Sequence, residues 1–125
     1  MADSNDFDQE RITRSLIKQY MVLRSACEMM PLPIVLPKQA DGIFDNSEAS
    51  PAVRRIVEIA DELPIPEENR AELFTAALFW LTASDLLAII LGHGWSDVRG
   101  FQALAALELS GDALAAFGMW VLDQK

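Results

Sequence analysis

The longest apolar stretch of the sequence runs from Leu73 to Leu91, and Asp85 is its only ionisable residue. A helix that is apolar on nearly every side lies either at the centre of a helical bundle or in a membrane. The stretch therefore predicts a central helix over about residues 67–91. Its polar residues recur at helical spacing and would form one thin line along it: Glu68, Glu72, Thr75, Thr82 and Asp85.

Two observations favour the bundle over the membrane. Asp85 lies inside the run, and an acidic residue at the centre of a spanning helix costs roughly 2.5–3.5 kcal/mol. No cluster of Lys or Arg flanks the run to set an orientation. We therefore expect a helix wrapped by protein and no membrane contact, with Asp85 paired to Arg99, His93 or a backbone donor.

Four other segments carry apolar residues at intervals of three and four, which predicts amphipathic helices over about 5–30, 51–63, 97–109 and 113–122. A break is expected between the last two, at Ser110-Gly111-Asp112. The sequence thus predicts one all-α domain over residues 1–125, a compact bundle of about five helices. The expected buried positions are Ile12, Leu16, Tyr20, Leu23, Cys27 and Met30, then Val53, Ile56, Val57, Ala60 and Leu63, then Val98, Phe101, Leu104 and Ala105, then Leu114, Phe117 and Val121.

A long proline-rich and acidic loop is predicted over residues 31–50, because its prolines deny backbone donors and disfavour the α region for the residue before each of them. Within it, residues 34–36 form either an extended segment on the bundle or a short edge strand. Phe44 either tucks back onto the core or waits for a partner. Ser50 would cap the next helix, with Pro51 at its first position.

Composition and charge narrow the possible partners. Apolar residues make up 51% of the chain, which excludes disorder throughout. The net charge is −9, and residues 67–125 carry eight acids against three bases. Such a surface repels phosphates and attracts a basic protein. A single cysteine and an acidic N-terminal segment without a signal-peptide pattern lead us to expect a cytoplasmic protein.

No catalytic, metal or cofactor motif stands out. Cys27 and His93 are the only residues of their kinds, and a nucleophile pair would need them within hydrogen-bonding distance. Cys27 lies in an apolar stripe, where thiols are usually inert. One His and one Cys provide no zinc spacing. We therefore predict a protein that is not an enzyme and uses no cofactor.

The segment Asp85–Leu104 resembles a helix-turn-helix DNA-binding motif. Ala88 takes the small position on the first helix, Gly92 stands at the turn, and Val98 and Phe101 fall where the second helix would pack. The resemblance implies a DNA-binding transcriptional regulator whose second helix reads the major groove. His93 replaces the usual apolar turn residue, and the second helix offers only Arg99 and Gln102 to DNA.

The leading hypothesis is an acidic protein-binding domain, a regulator or inhibitor that docks on a basic, nucleic-acid-binding surface of a partner. A phage-type inhibitor of a bacterial defence complex would be one example. A homodimer through the C-terminal helix is a further possibility, since that helix is apolar on two sides. Trp120 either anchors a partner or closes the end of the bundle. The candidate contact residues are the acids Asp41, Asp45, Glu48, Glu67, Glu68 and Glu72 and the aromatic residues Phe44, Phe79 and Trp120.

Overall fold

The computed structural model describes residues 4–30, 32–39 and 46–124. Four α-helices account for most of them: α1 Ser4–Met29, α2 Asn46–Ile59, α3 Glu67–His93 and α4 Asp97–Leu122. A 3₁₀ turn, Ala60–Glu62, follows α2. No strand occurs in these ranges, and the protein is all-α as predicted.

Helix α3 packs against α1, α2, the 3₁₀ turn and α4, so the longest apolar stretch does form the central helix. Its fully buried side chains include Leu73 and Trp80. The predicted polar line faces outward, with Glu68 and Thr82 exposed. Asp85 is also exposed and makes no ion pair among the described residues. The expectation that it pairs inside the bundle was wrong, because the polar line is the one side of α3 that no other helix covers.

The predicted break at residues 110–112 does not occur, and α4 continues through it. The count of five helices is therefore not confirmed. Ser110 is buried and its Oγ donates a hydrogen bond to the carbonyl oxygen of Ala76 at 2.8 Å. A Cβ added at Gly111 would lie 3.3 Å from Nε2 of Gln19 in α1. Both small residues permit close packing between helices, which outweighs their tendency to end a helix.

The predicted buried positions in the first half of α4 are mostly wrong. Val98 is 64% exposed and Phe101 66%, Ala105 is exposed, and Leu104 is only half-buried. The side that packs on α3 consists mainly of small residues, which let two helices approach closely. Because α4 is apolar on nearly all sides, periodicity alone could not identify the buried one. The buried residues of this half are Gly100, Ala103, Ala106, Leu107 and Ser110.

The predicted buried stripes of the other helices are largely confirmed. Leu114, Phe117 and Val121 of α4 are buried, as are Ile12, Leu16, Tyr20, Leu23 and Cys27 of α1 and Val53, Ile56, Ala60 and Leu63 of the α2 segment. Met30 and Val57 are partly buried against the core. The indole N–H of Trp80 donates to the carbonyl oxygen of Leu16 at 2.9 Å, and the rings of Tyr20 and Trp80 lie 5.9 Å apart. These contacts fix α1 on the middle of α3.

The hydrogen bonds also fix the direction of each helix. Ser110 of α4 meets Ala76 of α3, far from the turn that joins them, so α3 and α4 form an antiparallel hairpin. Gln19 of α1 donates to the carbonyl oxygen of Leu107, and Arg11 shares a groove with Phe101, so α1 runs parallel to α4. Helix α2 begins beside Ser84, and the segment after it meets the start of α3. Helices α1, α2 and α4 therefore point in one direction and α3 in the other.

This hairpin differs from the geometry that the helix-turn-helix resemblance implies. In that motif the two helices cross at about 90–120° and separate beyond the turn. Here the contact between Ser110 and Ala76 lies 13 residues after the start of α4. Ala88, Gly92 and Gly94 therefore lie near the turn of an αα-hairpin instead.

The segment between α1 and α2 is shorter than predicted, because α2 begins at Asn46 and contains Pro51. Ala49, in its first turn, is completely buried, and that packing stabilises helix where a loop was expected. Residues 32–39 lie on the bundle without strand structure: Ile34 and Leu36 are buried. The Tyr20 hydroxyl donates to the carbonyl oxygen of Pro37 at 2.5 Å, which ties the segment to α1.

Helices α3 and α4 are both long and apolar enough to cross a membrane when judged by length and composition alone. Within their most apolar stretches, 44% of α3 and 33% of α4 are buried inside the protein. A core helix of a bundle has the same length and composition. This property therefore does not distinguish a membrane helix from a core helix.

A pair of glycine substitutions in α4 tests the packing at the turn of the hairpin. A Cβ added at Gly100 would lie 2.3 Å from Cη2 of Trp95, whose indole N–H donates to Asp97 at 2.7 Å. A Cβ added at Gly118 would meet nothing within 4 Å. We expect Gly100→Ala to lower the free energy of unfolding by about 1–3 kcal/mol and Gly118→Ala to raise it by about 0.5–1 kcal/mol. Urea denaturation measures both, and equal changes would contradict the Trp95 contact.

Candidate protein-binding site

The carboxyl ends of α1, α2 and α4 lie at the same end of the bundle, where α3 begins. Each of these three carboxyl ends contributes a partial negative charge of about half an elementary charge, and the amino end of α3 contributes a positive charge of about the same size. Five acidic side chains gather around the junction between the 3₁₀ turn and α3. We call this surface the acidic end: Asp61, Glu62, Glu67, Glu68 and Glu72.

The local sequence explains why these acids lie together. Pro64 and Pro66 end the preceding segment, and the Pro66 carbonyl oxygen accepts the first backbone bonds of α3 from Asn69 and Arg70, both at 3.0 Å. Glu67 and Glu68 occupy the first turn of α3, where the amino end of a helix favours negative charge. The side-chain amide of Asn69 donates to Glu72 at 2.8 Å. The turn between the two prolines thus brings the acids before and after it onto one surface.

A groove of about 440 Å³ opens on the acidic end. Asp61 and Glu67 line it together with Arg70 and the half-buried ring of Phe74. Arg70 donates weakly to the carbonyl oxygen of Leu63 at 3.4 Å. Among the described residues, none of the five carboxylates of the acidic end forms an ion pair. With five carboxylates against Arg70, the surface combines net negative charge with an aromatic side chain, which suits a cationic group on an apolar stem.

The structure brings together only some of the predicted contact residues. Glu67, Glu68 and Glu72 share the acidic end. Glu48 does not: it lies in the first turn of α2, near the Tyr20 hydroxyl, and α2 runs from there toward the acidic end. The pKa of Tyr20 is raised, first by burial and to a smaller extent by the Glu48 charge. Asp41, Phe44 and Asp45 lie outside the described residues.

The two other aromatic candidates belong partly to the core. Phe79 is half-buried and packs against the core from α3. Trp120 is also half-buried, and its ring lies 5.9 Å from that of Phe117. Because Ser110 is level with Ala76, the last turns of α4 are level with the start of α3. Trp120 thus lies near the acidic end along the bundle axis, whereas Phe79 lies near the middle of the bundle.

Sequence reasoning missed three residues of this surface. Asp61 and Glu62 fall within the second predicted helix and are not among the candidate contact residues, and Phe74 falls within the central apolar run. The signal that could have found them is the Pro64-Ile65-Pro66 turn. A tight reversal places acids before it, at 61 and 62, beside acids after it, at 67 and 68.

The candidate nucleophile pair is not assembled. Cys27 lies near the carboxyl end of α1, and His93 ends α3 at the opposite end of the bundle. At 1.5 Å per residue the two are separated by roughly 30 Å along the axis. Burial raises the pKa of Cys27 to about 12, with a smaller contribution from Glu28. Among the described residues, no group of three His, Cys, Asp or Glu is arranged to hold a metal ion.

Comparison with known proteins found no matching family model, no similar characterised protein and no similar solved structure.

Slow alkylation is expected for the Cys27 thiol. Its raised pKa, about 12 against an ordinary 9.0, leaves on the order of 10³-fold less thiolate near pH 8 than an exposed cysteine has. Burial of the sulfur slows the reaction further. Labelling with iodoacetamide, followed by mass spectrometry, should therefore be at least about 10³-fold slower in the folded protein than in urea. Comparable rates in the two states would show a reactive thiol and contradict this assignment.

Proposed function

We propose that this chain is a non-enzymatic binding domain that acts in the cytoplasm, where its acidic end docks on a basic surface of a partner protein. The observation that carries the proposal is the collection of five carboxylates at the end where three helices terminate, none of which forms an ion pair within the described part of the chain. The three carboxyl ends and the acidic side chains contribute negative charge there, which exceeds the positive partial charge at the amino end of α3. A potential of this kind accelerates association with a basic surface and orients the partner as it approaches.

A regulator or an inhibitor would use this surface in the same way. Basic protein surfaces commonly bind nucleic acid, and an acidic domain that covers one competes with the phosphates. A phage-type inhibitor of a bacterial defence complex is one protein of this class. The groove beside Phe74 would accept the stem of a Lys or Arg while the surrounding carboxylates bind its charged head.

Two substitutions on α3 with the same change of charge test the proposal. Glu68 lies in the acidic end, and Asp85 lies 17 residues further along the exposed side of the same helix. That separation is about 26 Å at 1.5 Å per residue. Glu68→Lys should raise the dissociation constant of the partner complex about 10-fold or more, whereas Asp85→Lys should leave it nearly unchanged.

The partner is first captured from a nuclease-treated lysate of the source organism on immobilised wild type and both variants, and identified by mass spectrometry. Titration calorimetry with the purified partner then gives the dissociation constants at two salt concentrations. Wild-type binding should weaken as salt rises, because screening shortens the reach of the acidic end. Equal binding by wild type and Glu68→Lys would contradict the proposal. Thermal unfolding of each variant checks that the fold is retained.

A DNA-binding regulator is the second candidate, because Arg99 and Gln102 lie exposed on the helix that follows the turn. The hairpin geometry and the charge of this half oppose it. We expect no retained complex with duplex DNA in a low-salt gel-shift assay, and no effect of Arg99→Ala. Tight binding that Arg99→Ala weakens would favour the transcriptional regulator and exclude the leading proposal.

A further inference from the structure

The outer side of α4 carries a continuous stripe that no other helix covers. Its positions recur at intervals of three and four, as they do along the seam between two packed helices. Six are apolar, and the largest are strongly exposed: Val98 64%, Phe101 66% and Met119 69%. The full stripe is Val98, Phe101, Ala105, Leu109, Asp112, Ala116 and Met119.

The middle of this stripe is acidic. Asp112 interrupts the apolar positions and Glu108 lies one turn before it, and both side chains are exposed. Neither forms an ion pair among the described residues. A charged residue in the middle of an apolar seam costs stability unless a cation meets it, and in paired helices it fixes register and orientation.

A cation suited to these carboxylates lies on the neighbouring helix, α1. Gln19 of α1 bonds to the Leu107 carbonyl oxygen and approaches Gly111, so the adjacent Lys18 is level with the middle of α4. Lys18 is exposed and forms no ion pair among the described residues. Arg11 lines a groove of about 580 Å³ together with Glu108 and Asp112. This side of α1 and the stripe of α4 therefore belong to one surface.

We propose that this α1–α4 surface binds a second copy of the chain, with the two α4 helices packed antiparallel about a two-fold axis near the level of Ser110. In this arrangement Val98 and Phe101 meet the C-terminal end of the partner's stripe, where Met119 lies. Lys18 approaches Glu108 and Asp112 of the partner subunit, and the same contact repeats across the axis. The surface is thus complementary to itself, as a two-fold dimer requires.

The size of the surface agrees with a stable dimer. A helix of this length is about 39 Å long and about 10 Å wide. Two such helices side by side present about 800 Å², which is the usual contribution of each subunit to a specific interface. A lipid bilayer suits the surface less well, because the exposed carboxylates Glu108 and Asp112 in its middle would lose water without gaining a cation.

A charge exchange between α1 and α4 tests the proposal. Lys18→Glu places like charges together twice in the dimer and should raise its dissociation constant roughly 10-fold to 100-fold. The combination Glu108→Lys with Asp112→Lys should do the same. All three substitutions in one chain restore opposite charges at both contacts and should recover dimerisation. Arg54→Glu, at an exposed position on α2, is the control with the same charge change as Lys18→Glu and should have no effect.

Sedimentation equilibrium over micromolar to submillimolar concentrations measures the dissociation constant of each variant. Phe101→Asp together with Met119→Asp should give a folded monomer, since both side chains are exposed, and circular dichroism confirms the fold. A monomeric wild type overturns the proposal, as does a dimer that Lys18→Glu does not weaken. A monomer that floats with phosphatidylcholine vesicles would identify the surface as lipid-binding instead. Because Glu68 lies on α3 and outside the α1–α4 surface, Glu68→Lys leaves the dimer intact, so this proposal and the proposed function fail independently.

Discussion

The close approach of α3 and α4 is the constraint on which the rest of the structure depends. Ala76, Ala83, Ala103 and Ala106 are all buried between or beside these helices, and the Ser110 hydroxyl reaches a backbone oxygen of α3. A larger residue at such positions would separate the helices, because packed interiors leave little space for additional atoms. The contact fixes the register of the hairpin, and it turns the large apolar side chains of α4 toward solvent.

The hairpin also determines where charge accumulates. Trp80 holds α1 on its middle, and the chain returns along residues 32–39 before α2 begins. That return allows α1, α2 and α4 to run in the same direction, so their negative ends coincide. Carboxylates of the 3₁₀ turn and of α3 add to the potential at that end. The acidic end is therefore a consequence of topology as much as of composition, and it is the feature behind the proposed docking on a basic protein.

The two proposed interfaces use different physical properties of one small domain. The acidic end has five carboxylates around one half-buried ring, and long-range attraction would dominate its binding. The α1–α4 surface has exposed apolar side chains with opposite charges near its centre, so burial of apolar area would dominate there and the charges would fix the register. A dimer formed through α4 would present two acidic ends, which would strengthen binding to a repeated or symmetric partner.

By itself, the sequence determined the helical class, the central helix, the buried stripes of α1 and α2, and the clustering of Glu67, Glu68 and Glu72, because these follow from local periodicity and from neighbours in one turn. It could not identify the buried side of α4, which is apolar nearly all round, nor the continuation of that helix through Ser110 and Gly111. Packing against α3 and α1 decided both. Only the tertiary structure separated Glu48 from the acidic end and exposed Asp85, since each of these depends on which helices become neighbours.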